Sequence, residues 1–289
     1  MPATVLILTL NEERNLPACL QSVSWSDDVV VFDSFSSDRT VRIAEAFGAR
    51  VFQRRFDNEL MQRTASLQVD FKHPWVFNPD ADELTPPDLR DEILEVTADP
   101  LSSEVGYRVR RQDMFMGRWI KHSSLYPTWV LRLFRPRAVR FARTTNLTAS
   151  LAGPEGRLRN HLIHHSFNNG LEAWIAKHNR YSSFEALETV KSLETAKISL
   201  RDLFCADPVS RRRALKDLSV RLPMRPTLRF LYMYLARGGF LDGLPGYRYS
   251  RLLSIYEYMT VLKVREIHNP AWRPDSGTPI RPQIETEKS

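Results

Sequence analysis

HPWVFNPDADELT, residues 73–85, is the stretch from which the fold of this chain can be worked out. Its apolar run Trp75-Val-Phe77 is typical of the end of a buried strand. Asn78-Pro79 ends that strand, because proline has no amide hydrogen to donate to a neighbouring strand. Three carboxylates come next, and then a threonine and two prolines open a predicted helix. The stretch therefore predicts a strand, an acidic turn and a helix in succession.

The acidic turn predicts a metal site. Carboxylates crowded at the carboxyl end of a strand repel one another, and oxygen ligands favour a hard cation such as Mg²⁺ or Mn²⁺. Such an ion keeps several waters and shares its shell with substrate phosphates. Asp80-x-Asp82 therefore predicts a metal-bound diphosphate. The alternative interpretation is a solvated acidic turn, which is common for an isolated pair of this kind.

The segments around the acidic turn alternate between strands and helices. Thr4–Leu10 is a continuous apolar run, typical of a parallel strand buried on both faces. A second buried strand is predicted at Asp28–Phe32 and a third, short strand at Ala49–Phe52. Helices are predicted between the strands at Leu16–Val23, Val41–Phe47 and Arg63–Val69, and another after Thr85, which is expected to cap it. This alternation indicates a doubly wound α/β sheet, whose ligands bind at the carboxyl ends of the strands.

The loops after the first two strands narrow the choice of ligand. Thr9-Leu-Asn-Glu-Glu13 stands where nicotinamide-dependent dehydrogenases have a glycine-rich turn, so a dehydrogenase of that kind is not expected. Asp33 follows the second strand directly, and its carboxylate could accept hydrogen bonds from a base or a ribose. The alternative for Asp33 is an aspartate that only caps the turn.

Composition and charge place the chain among globular proteins with an anionic partner. It has 289 residues, a net charge of +7 and 2 cysteines, too few for a disulfide framework. Arginines cluster at 108–143 and 211–229, which indicates a phosphorylated substrate, an acidic lipid or nucleic acid. No signal peptide is recognised and no apolar run reaches the length of a membrane span, so the cytoplasm is the expected compartment.

Three motifs follow one another in the first part of the chain: LTLNEERNL at 8–16, VFDSFSSDRT at 31–40 and DADE at 80–83. Their order and spacing resemble those of family 2 glycosyltransferases, and in particular of bacterial enzymes similar to the lipopolysaccharide-core β-1,4-glucosyltransferases. The similarity continues through GRWIKH at 117–122, LRLF at 131–134 and IHHSF at 163–167. The resemblance implies the GT-A fold, a doubly wound mixed α/β sheet, here with a C-terminal helical appendage.

The resemblance also implies a reaction and a donor site. The reaction would be an inverting transfer from a nucleoside-diphosphate sugar, most simply a UDP-sugar, with Mg²⁺ or Mn²⁺ as cofactor. Asn11 and Glu12 would line the nucleotide pocket, and Asp33 would face the uracil or its ribose. Arg63 and Arg132 could add to the neutralisation of the diphosphate, and the alternative for each is a surface ion-pair residue. The predicted donor-binding residues are Thr9, Asn11, Glu12, Asp33, Arg63, Asp80 and Arg132.

The predicted metal ligands are Asp80, Asp82 and His164. Asp80 would lie near both the ribose and the metal, whereas Asp82 would bind the metal directly. His164 lies in the predicted strand His161–His165 and matches a family histidine that approaches the diphosphate or the metal. A purely structural histidine is the alternative for this position.

The catalytic base is where the sequence departs from the family pattern. Relatives commonly carry acidic residues where Thr128 and Leu147 stand here, so another carboxylate is needed. Asp113 follows an arginine-rich predicted strand and precedes Met114-Phe-Met-Gly117, a segment suited to closing over an acceptor. Asp113 is therefore the predicted base, and Glu83 is the alternative.

The sequence predicts three parts: a catalytic domain at 1–170, a helical region at 171–268 and a disordered tail at 269–289. In the helical region, apolar spacing predicts helices at Leu171–Leu187 and Tyr249–Lys263, separated by a glycine-rich break at 238–243. Basic residues beside aromatic helices indicate attachment to an anionic membrane surface, at the inner face of the cytoplasmic membrane. The alternative is a helical appendage that only packs on the core.

The expected partners are a nucleoside-diphosphate sugar and a saccharide or lipid-linked acceptor. The expected pathway is the biosynthesis of cell-envelope polysaccharide or lipopolysaccharide. A catalytically silent member that binds sugar nucleotide or holds partners together is the second hypothesis, since two family carboxylates are missing. Nucleic acid is not an expected partner, because no nucleic-acid-binding motif accompanies the basic stretches.

Overall fold

The computed structural model describes residues 3–142, 147–195 and 224–269. The chain divides into two compact units, Met1–Asn169 and Gly170–Ser289. The first unit contains the sheet and every residue predicted for the donor, the metal and the base. The predicted tail lies outside the described residues apart from Asn269.

The described residues of the first unit form a nine-stranded mixed sheet and a two-stranded hairpin. The strands are β1 (Thr4–Thr9), β2 (Val29–Asp33), β3 (Arg50–Gln53), β4 (Val76–Phe77), β5 (Glu83–Leu84), β6 (Gly106–Phe115), β7 (Arg118–Trp119), β8 (Thr128–Phe134), β9 (Val139–Ala142), β10 (Thr148–Leu151) and β11 (Glu155–His164). Their order is β3-β2-β1-β4-β8-β6-β11-β5, with β7 beside β6 and the hairpin formed by β9 and β10. β8 is antiparallel to β4 and β6, whereas β1 to β4 run parallel.

Helices lie on both faces of the sheet because successive strand residues point to opposite sides. Along β1, Val5 and Ile7 pack in one core with side chains of two helices, α1 (Leu16–Ser22) and α4 (Pro87–Ala98). Leu6 packs in the other core, beside a third helix, α3 (Glu59–Ser66). α2 (Thr40–Ala46) adds Ala44 to the first core. The predicted fold class, a mixed α/β sheet of the GT-A type with C-terminal helices, is confirmed.

Parallel pairing brings three polar loops to the same edge of the sheet. Thr9 and Asp33 end β1 and β2 in register with one another. Asp80, three residues after β4, forms an isolated bridge with Leu8. The loops after β1, β2 and β4 are therefore neighbours, as expected for a doubly wound sheet.

Three helix predictions need correction. The helix predicted at Arg63–Val69 is Glu59–Ser66, because the side chain of Asn58 accepts a hydrogen bond from the amide of Met61 and starts the helix earlier. Thr85 does not cap the helix after the acidic turn, since Pro86 occupies the cap position and no side chain caps it. The last predicted helix is longer than Tyr249–Lys263.

The second unit is helical in its described part. It contains α5 (Gly170–Thr195), α6 (Arg225–Leu231) and α7 (Gly243–His268), with a π-helical turn at Tyr232–Ala236 and a 3₁₀ turn at Gly239–Asp242. Lys263 of α7 donates to four oxygens of α5 at 2.6–2.8 Å, from Asn179, Ser182 and Ser183. Among the described helices, none combines the length and the apolar character needed to cross a bilayer.

Candidate active site

Asp33 organises the loop that follows β2. Its carboxylate accepts hydrogen bonds from the hydroxyl of Thr9 at 2.8 Å, the amide of Ser36 at 2.8 Å and the side chain of Gln53 at 3.1 Å. The residue is fully buried. A nucleotide that bonds to this carboxylate would have to displace one of these donors.

Asn11 and Glu12 join the first loop to the second. The carboxamide oxygen of Asn11 accepts from the amide of Ser37 at 2.8 Å. Asn11 also has a φ of 57°, a left-handed conformation that asparagine tolerates better than most residues. The amide of Glu12 donates to the hydroxyl of Thr40 at 2.8 Å. These bonds hold the predicted nucleotide-binding loops in one arrangement.

Asp80 lies between the two predicted diphosphate arginines. Arg63 donates to one carboxylate oxygen of Asp80 at 3.2 Å, and Arg132 donates to the other. Burial would raise the pKa of Asp80, but the charges of Arg132 and Arg63 outweigh it and hold that pKa well below its usual range. The two arginines and Asp80 are therefore in contact, with the arginines already paired to protein carboxylates.

Glu83 is the most deeply buried carboxylate of the acidic turn. Its side chain has no exposed area, and its two oxygens accept from Arg132 at 2.7 Å and from the amide of Asp80 at 2.9 Å. Burial raises the pKa of Glu83, and the charge of Asp80 adds to this effect while Arg132 opposes it. Arg132 and the amide of Asp80 occupy both oxygens of Glu83, so this carboxylate is poorly placed to act as a base.

A second acidic cluster joins Asp82 to Asp113 through His164. The Nδ1 atom of His164 lies 2.6 Å from Oδ1 of Asp113, and its Nε2 atom lies 3.3 Å from Oδ2 of Asp82. Burial opposes the charged form of His164, but hydrogen bonds to Asp113 and Asp82 outweigh it and raise the pKa of His164 to about 9. The two carboxylates therefore favour the charged form of His164.

The structure brings the predicted metal ligands together only in part. Asp82 and His164 are adjacent, whereas the carboxylate of Asp80 is engaged by arginines. Among the residues that the structure describes, no three His, Cys, Asp or Glu side chains are arranged to hold a metal ion. Magnesium commonly takes only one or two protein carboxylates and completes its shell with phosphates and waters. The partly exposed carboxylate of Asp82 fits that kind of site.

Two residues of the site were missed by the sequence reasoning. Arg111 lies 2.9 Å from Asp113, on the same face of β6 two residues earlier. Asn78 accepts from Arg63 at 3.0 Å and so helps to direct that arginine towards Asp80. The alternation of β6 could have revealed Arg111. No signal in the sequence identified Asn78 as more than the end of a strand.

A cleft of about 1020 Å³ opens elsewhere on the first unit. It is lined by the end of α3, the chain leading to β4 and the segment that precedes and includes β9. Arg135, Arg137 and Arg140 contribute to its wall. None of the residues predicted for the donor, the metal or the base lines it.

The chain is similar over nearly its whole length to bacterial glycosyltransferases. It is 26% identical to the lipopolysaccharide core biosynthesis glycosyltransferase LpsC of Rhizobium meliloti, across 95% of this chain and 96% of LpsC. It is 25% identical to the uncharacterized glycosyltransferase RT0209 of Rickettsia typhi, across 91% of this chain and 87% of that protein.

Solved structures of glycosyltransferases are similar to it at lower identity. The mannosyltransferase PcManGT of Pyrobaculum calidifontis, solved with GDP-Man and Mn²⁺, shares 17% identity and a TM-score of 0.47, across 91% of this chain and 87% of that one. TarS 1-349 of S. aureus shares 15% identity and a TM-score of 0.44, across 96% of this chain and 93% of that one.

The family model for glycosyl transferase family 2 matches residues 4–153, which is more than half of the chain. The match runs from β1 into the loop after β10. It includes the loops that carry Thr9, Asp33 and Asp80, together with Asp113 and Arg132. The chain therefore belongs to glycosyl transferase family 2.

Proposed function

We propose that the protein is an inverting glycosyltransferase that moves a sugar from a nucleoside-diphosphate donor to a saccharide or lipid-linked acceptor. A UDP-sugar is the first candidate for the donor. The observation that carries this proposal is the grouping of Arg63, Asp80 and Arg132 beside the loops after β1 and β2. The similarity to LpsC, whose name states a role in lipopolysaccharide core biosynthesis, supports an acceptor of the cell envelope.

The donor site would use the loops at the carboxyl ends of β1, β2 and β4. Asn11, Glu12 and Asp33 would surround the base and ribose, with Thr9 holding the Asp33 carboxylate. Arg63 and Arg132 would exchange part of their contact with Asp80 for the diphosphate, because guanidinium groups bind phosphate oxygens in the same bidentate way as carboxylates. Free enzyme and donor complex would then differ in the partners of these two arginines.

Asp82 would hold a divalent cation, Mg²⁺ or Mn²⁺, with Asp80 and His164 beside it. When bound, the ion would supply charge neutralisation for the departing diphosphate. His164 can act as a ligand only in its neutral form, so its contact with Asp82 and Asp113 means that ligation there would release a proton. As long as His164 remains charged, it orients the carboxylate of Asp82.

Asp113 would take the proton of the attacking acceptor hydroxyl. Both close cations, Arg111 and His164, contact its Oδ1 atom. Oδ2 of Asp113 is therefore the oxygen that we assign to the acceptor. In the step, the acceptor oxygen bonds to the anomeric carbon, the bond from that carbon to the diphosphate breaks, and the proton passes to Asp113.

The decisive experiment is a thermal-shift screen of sugar nucleotides with and without Mn²⁺. A ligand that binds only the native state raises its apparent stability, so one nucleoside-diphosphate sugar should raise the Tm in the presence of the metal. The assignment fails if no sugar nucleotide changes the Tm under either condition. The metal dependence is rejected if the wild-type enzyme keeps its full turnover rate in excess chelator.

The contribution of Asp82 is tested by Asp82→Ala. We expect turnover to be abolished while the circular dichroism spectrum and the Tm without ligand stay near those of the wild type. Asp91→Ala is the matched control, because Asp91 is an exposed carboxylate that pairs with the neighbouring Arg90. Normal turnover in Asp82→Ala would remove Asp82 from the metal site.

The second candidate is a silent family member, favoured by Thr128 and Leu147 at two family acidic positions. In the structure Thr128 begins β8 opposite Arg111, and Leu147 immediately precedes β10. Release of nucleoside diphosphate that depends on both metal and acceptor separates the two functions. A silent member would bind the sugar nucleotide and release nothing when any acceptor is added.

A further inference from the structure

One face of the sheet in the first unit carries cations and aromatic rings that the proposed reaction does not use. Its central row runs across three paired strands, from Trp129 of β8 through Arg110 of β6 to His161 of β11. Asp113 comes three positions after Arg110 on β6, and His164 comes three positions after His161 on β11. Because side chains alternate along a strand, Asp113 and His164 point to the opposite face. The cation–aromatic face defined here comprises Arg110, Lys121, Trp119, Tyr126, Trp129, Arg157 and His161.

Two guanidinium groups stack on one ring at the first end of this face. The guanidinium carbons of Arg110 and Arg157 lie 5.5 and 5.1 Å from the ring centroid of Trp129. Arg157 is exposed, and Trp129 is half-buried. In the described chain, neither arginine has a recorded carboxylate partner, in contrast to the neighbouring Arg108, which pairs with Glu155 at 2.7 Å.

A third cation, Lys121, lies over the aromatic cluster at the other end. The ammonium of Lys121 is 5.4 Å from the ring of Trp119 and 5.9 Å from the ring of Tyr126. The hydroxyl of Tyr126 and Nε2 of His161 are 2.6 Å apart. Burial, together with the charges of Arg110 and Lys121, lowers the pKa of His161. Asp88 and Glu92 oppose this effect, so burial is the main cause of the lowered pKa of His161.

Two buried donors on the face lack acceptors. Nε of Arg110 and Nε1 of Trp119 have no hydrogen-bond partner among the described residues. Buried donors are almost always bonded in folded proteins, so an unpaired donor calls for an explanation. The described residues satisfy neither donor, so both N–H groups add to the positive character of the face.

We propose that the cation–aromatic face binds a saccharide through an acidic group on the sugar, a carboxylate or a phosphate. Because this face lies on the opposite side of the sheet from Asp113, it would hold a part of the acceptor that is remote from the reacting hydroxyl. Aromatic rings pack against the apolar C–H faces of sugar rings, and guanidinium groups pair with carboxylate or phosphate oxygens. The unpaired positive charge selects an anionic sugar over a neutral one. The acceptor role rests on the proposed glycosyl transfer, whereas the binding of acidic sugars by this face does not.

The test measures the binding of three small sugars by ligand-observed NMR: glucuronate, glucose 6-phosphate and glucose. At least one of the two acidic sugars should bind tenfold or more tightly than glucose, and the better one identifies the acidic group. The doubly substituted variant Lys121→Gln/Arg157→Gln should lose that preference, because glutamine removes the charge from two exposed side chains. Arg42→Gln, which removes an exposed charge from α2, is the matched control and should bind like the wild type.

Four results would overturn the inference. Glucose could bind as tightly as the acidic sugars, or the double variant could keep the wild-type preference. Inorganic phosphate or acetate could bind as tightly as the sugar acids, which would mark a simple anion site. Finally, the double substitution could reduce binding to anionic vesicles without affecting any sugar. Thermal shifts with sugar nucleotides separate this inference from the proposed function. If no sugar nucleotide raises the Tm of the wild type, the transferase assignment is rejected, whereas the acid-sugar site is not affected.

Discussion

Arg132 balances the charge of the acidic turn. It is 5% exposed and contacts both Asp80 and the fully buried Glu83. Arg132→Met would keep much of the side-chain volume and leave Glu83 buried without its cation. Removing one partner of a buried ion pair costs about 3–5 kcal/mol, and urea unfolding should show a loss of this size.

The controls for Arg132→Met distinguish charge from packing. Arg137→Met changes an exposed arginine and should unfold like the wild type. Adding Glu83→Gln to Arg132→Met should recover part of the lost stability, since the neutral side chain no longer needs a cation. Equal stability of Arg132→Met and the wild type would mean that Glu83 is not dependent on Arg132.

Asp113→Asn distinguishes two roles for this carboxylate, that of the general base and that of a group that positions His164. If it is the base, Asp113→Asn should lower the transfer rate about 10²–10⁴-fold and hardly change donor affinity. If it only positions His164, the same change should weaken the binding of metal and donor instead. Single-turnover kinetics and donor titration distinguish these outcomes. A variant with normal rate and normal affinity would remove Asp113 from the site.

At the scale of the helices and strands, the buried elements were the ones that the sequence predicted well. β1 and β2 lie within a residue or two of the predicted strands, because continuous apolar runs reflect burial on both faces. α3 was placed four residues late, since its start is fixed by the side chain of Asn58 rather than by an apolar pattern. β8 was not predicted as a strand because five of its seven residues are polar or only half-buried.

The contacts in the site depend on which residues of neighbouring strands are paired, and no local sequence pattern encodes that pairing. The family motifs identified Asp80, Asp82 and His164 separately. Only the pairing of β11 with β6 places His164 beside Asp113, and only the pairing of β4 with β8 brings Arg132 towards Asp80. The sequence could therefore identify the members of the two acidic clusters without showing which side chains bind one another.

The packing of α7 on α5 predicts an alkaline limit to stability. Burial and the nearby charge of Glu185 raise the pKa of Tyr256, whose ring lies 5.3 Å from that of His178. A group whose folded pKa is raised stabilises the fold fully below its unfolded pKa and loses that contribution as pH rises through the folded pKa. The free energy of unfolding should therefore fall above roughly pH 10, where an unfolded tyrosine ionises.

Tyr256→Phe checks this prediction. It removes a hydroxyl and should cost about 1 kcal/mol at neutral pH, but it should flatten the decline above pH 10. Tyr258→Phe is the matched control, because Tyr258 is on the same helix and 53% exposed. The prediction is contradicted if both variants decline with pH as steeply as the wild type, measured by urea unfolding at several pH values.

At the scale of the whole molecule, attachment to anionic membranes stays a prediction. The prediction rests on seven basic residues between 211 and 229, of which Arg211, Arg212, Arg213, Lys216 and Arg221 lie outside the described residues. The other two are Arg225 and Arg229. The guanidinium of Arg225 lies 2.9 Å from Glu257 with 14% of the side chain exposed. That arginine is therefore committed to a contact inside its own unit.

Vesicle sedimentation tests the attachment. Each basic residue near an anionic surface contributes about 1 kcal/mol, so Arg211→Gln/Arg212→Gln/Arg213→Gln should weaken binding roughly a hundredfold. High salt should weaken it as well. Arg225→Gln should leave binding unchanged because of its contact with Glu257. Wild-type protein that ignores anionic vesicles at low salt would show that the helical region only packs within the protein.

The order of strands across the sheet has a consequence for how the chain is made. The ribosome synthesises β1 to β4 before β8, so β4 can pair with β1 on one side but not yet with β8 on the other. Glu83 likewise emerges 49 residues before the arginine that neutralises it. A nascent chain that stops before residue 128 would keep its acidic turn in water, since burial without Arg132 is unfavourable. The edge of the sheet that carries Asp80 and Glu83 would thus be completed only after β8 has left the ribosome.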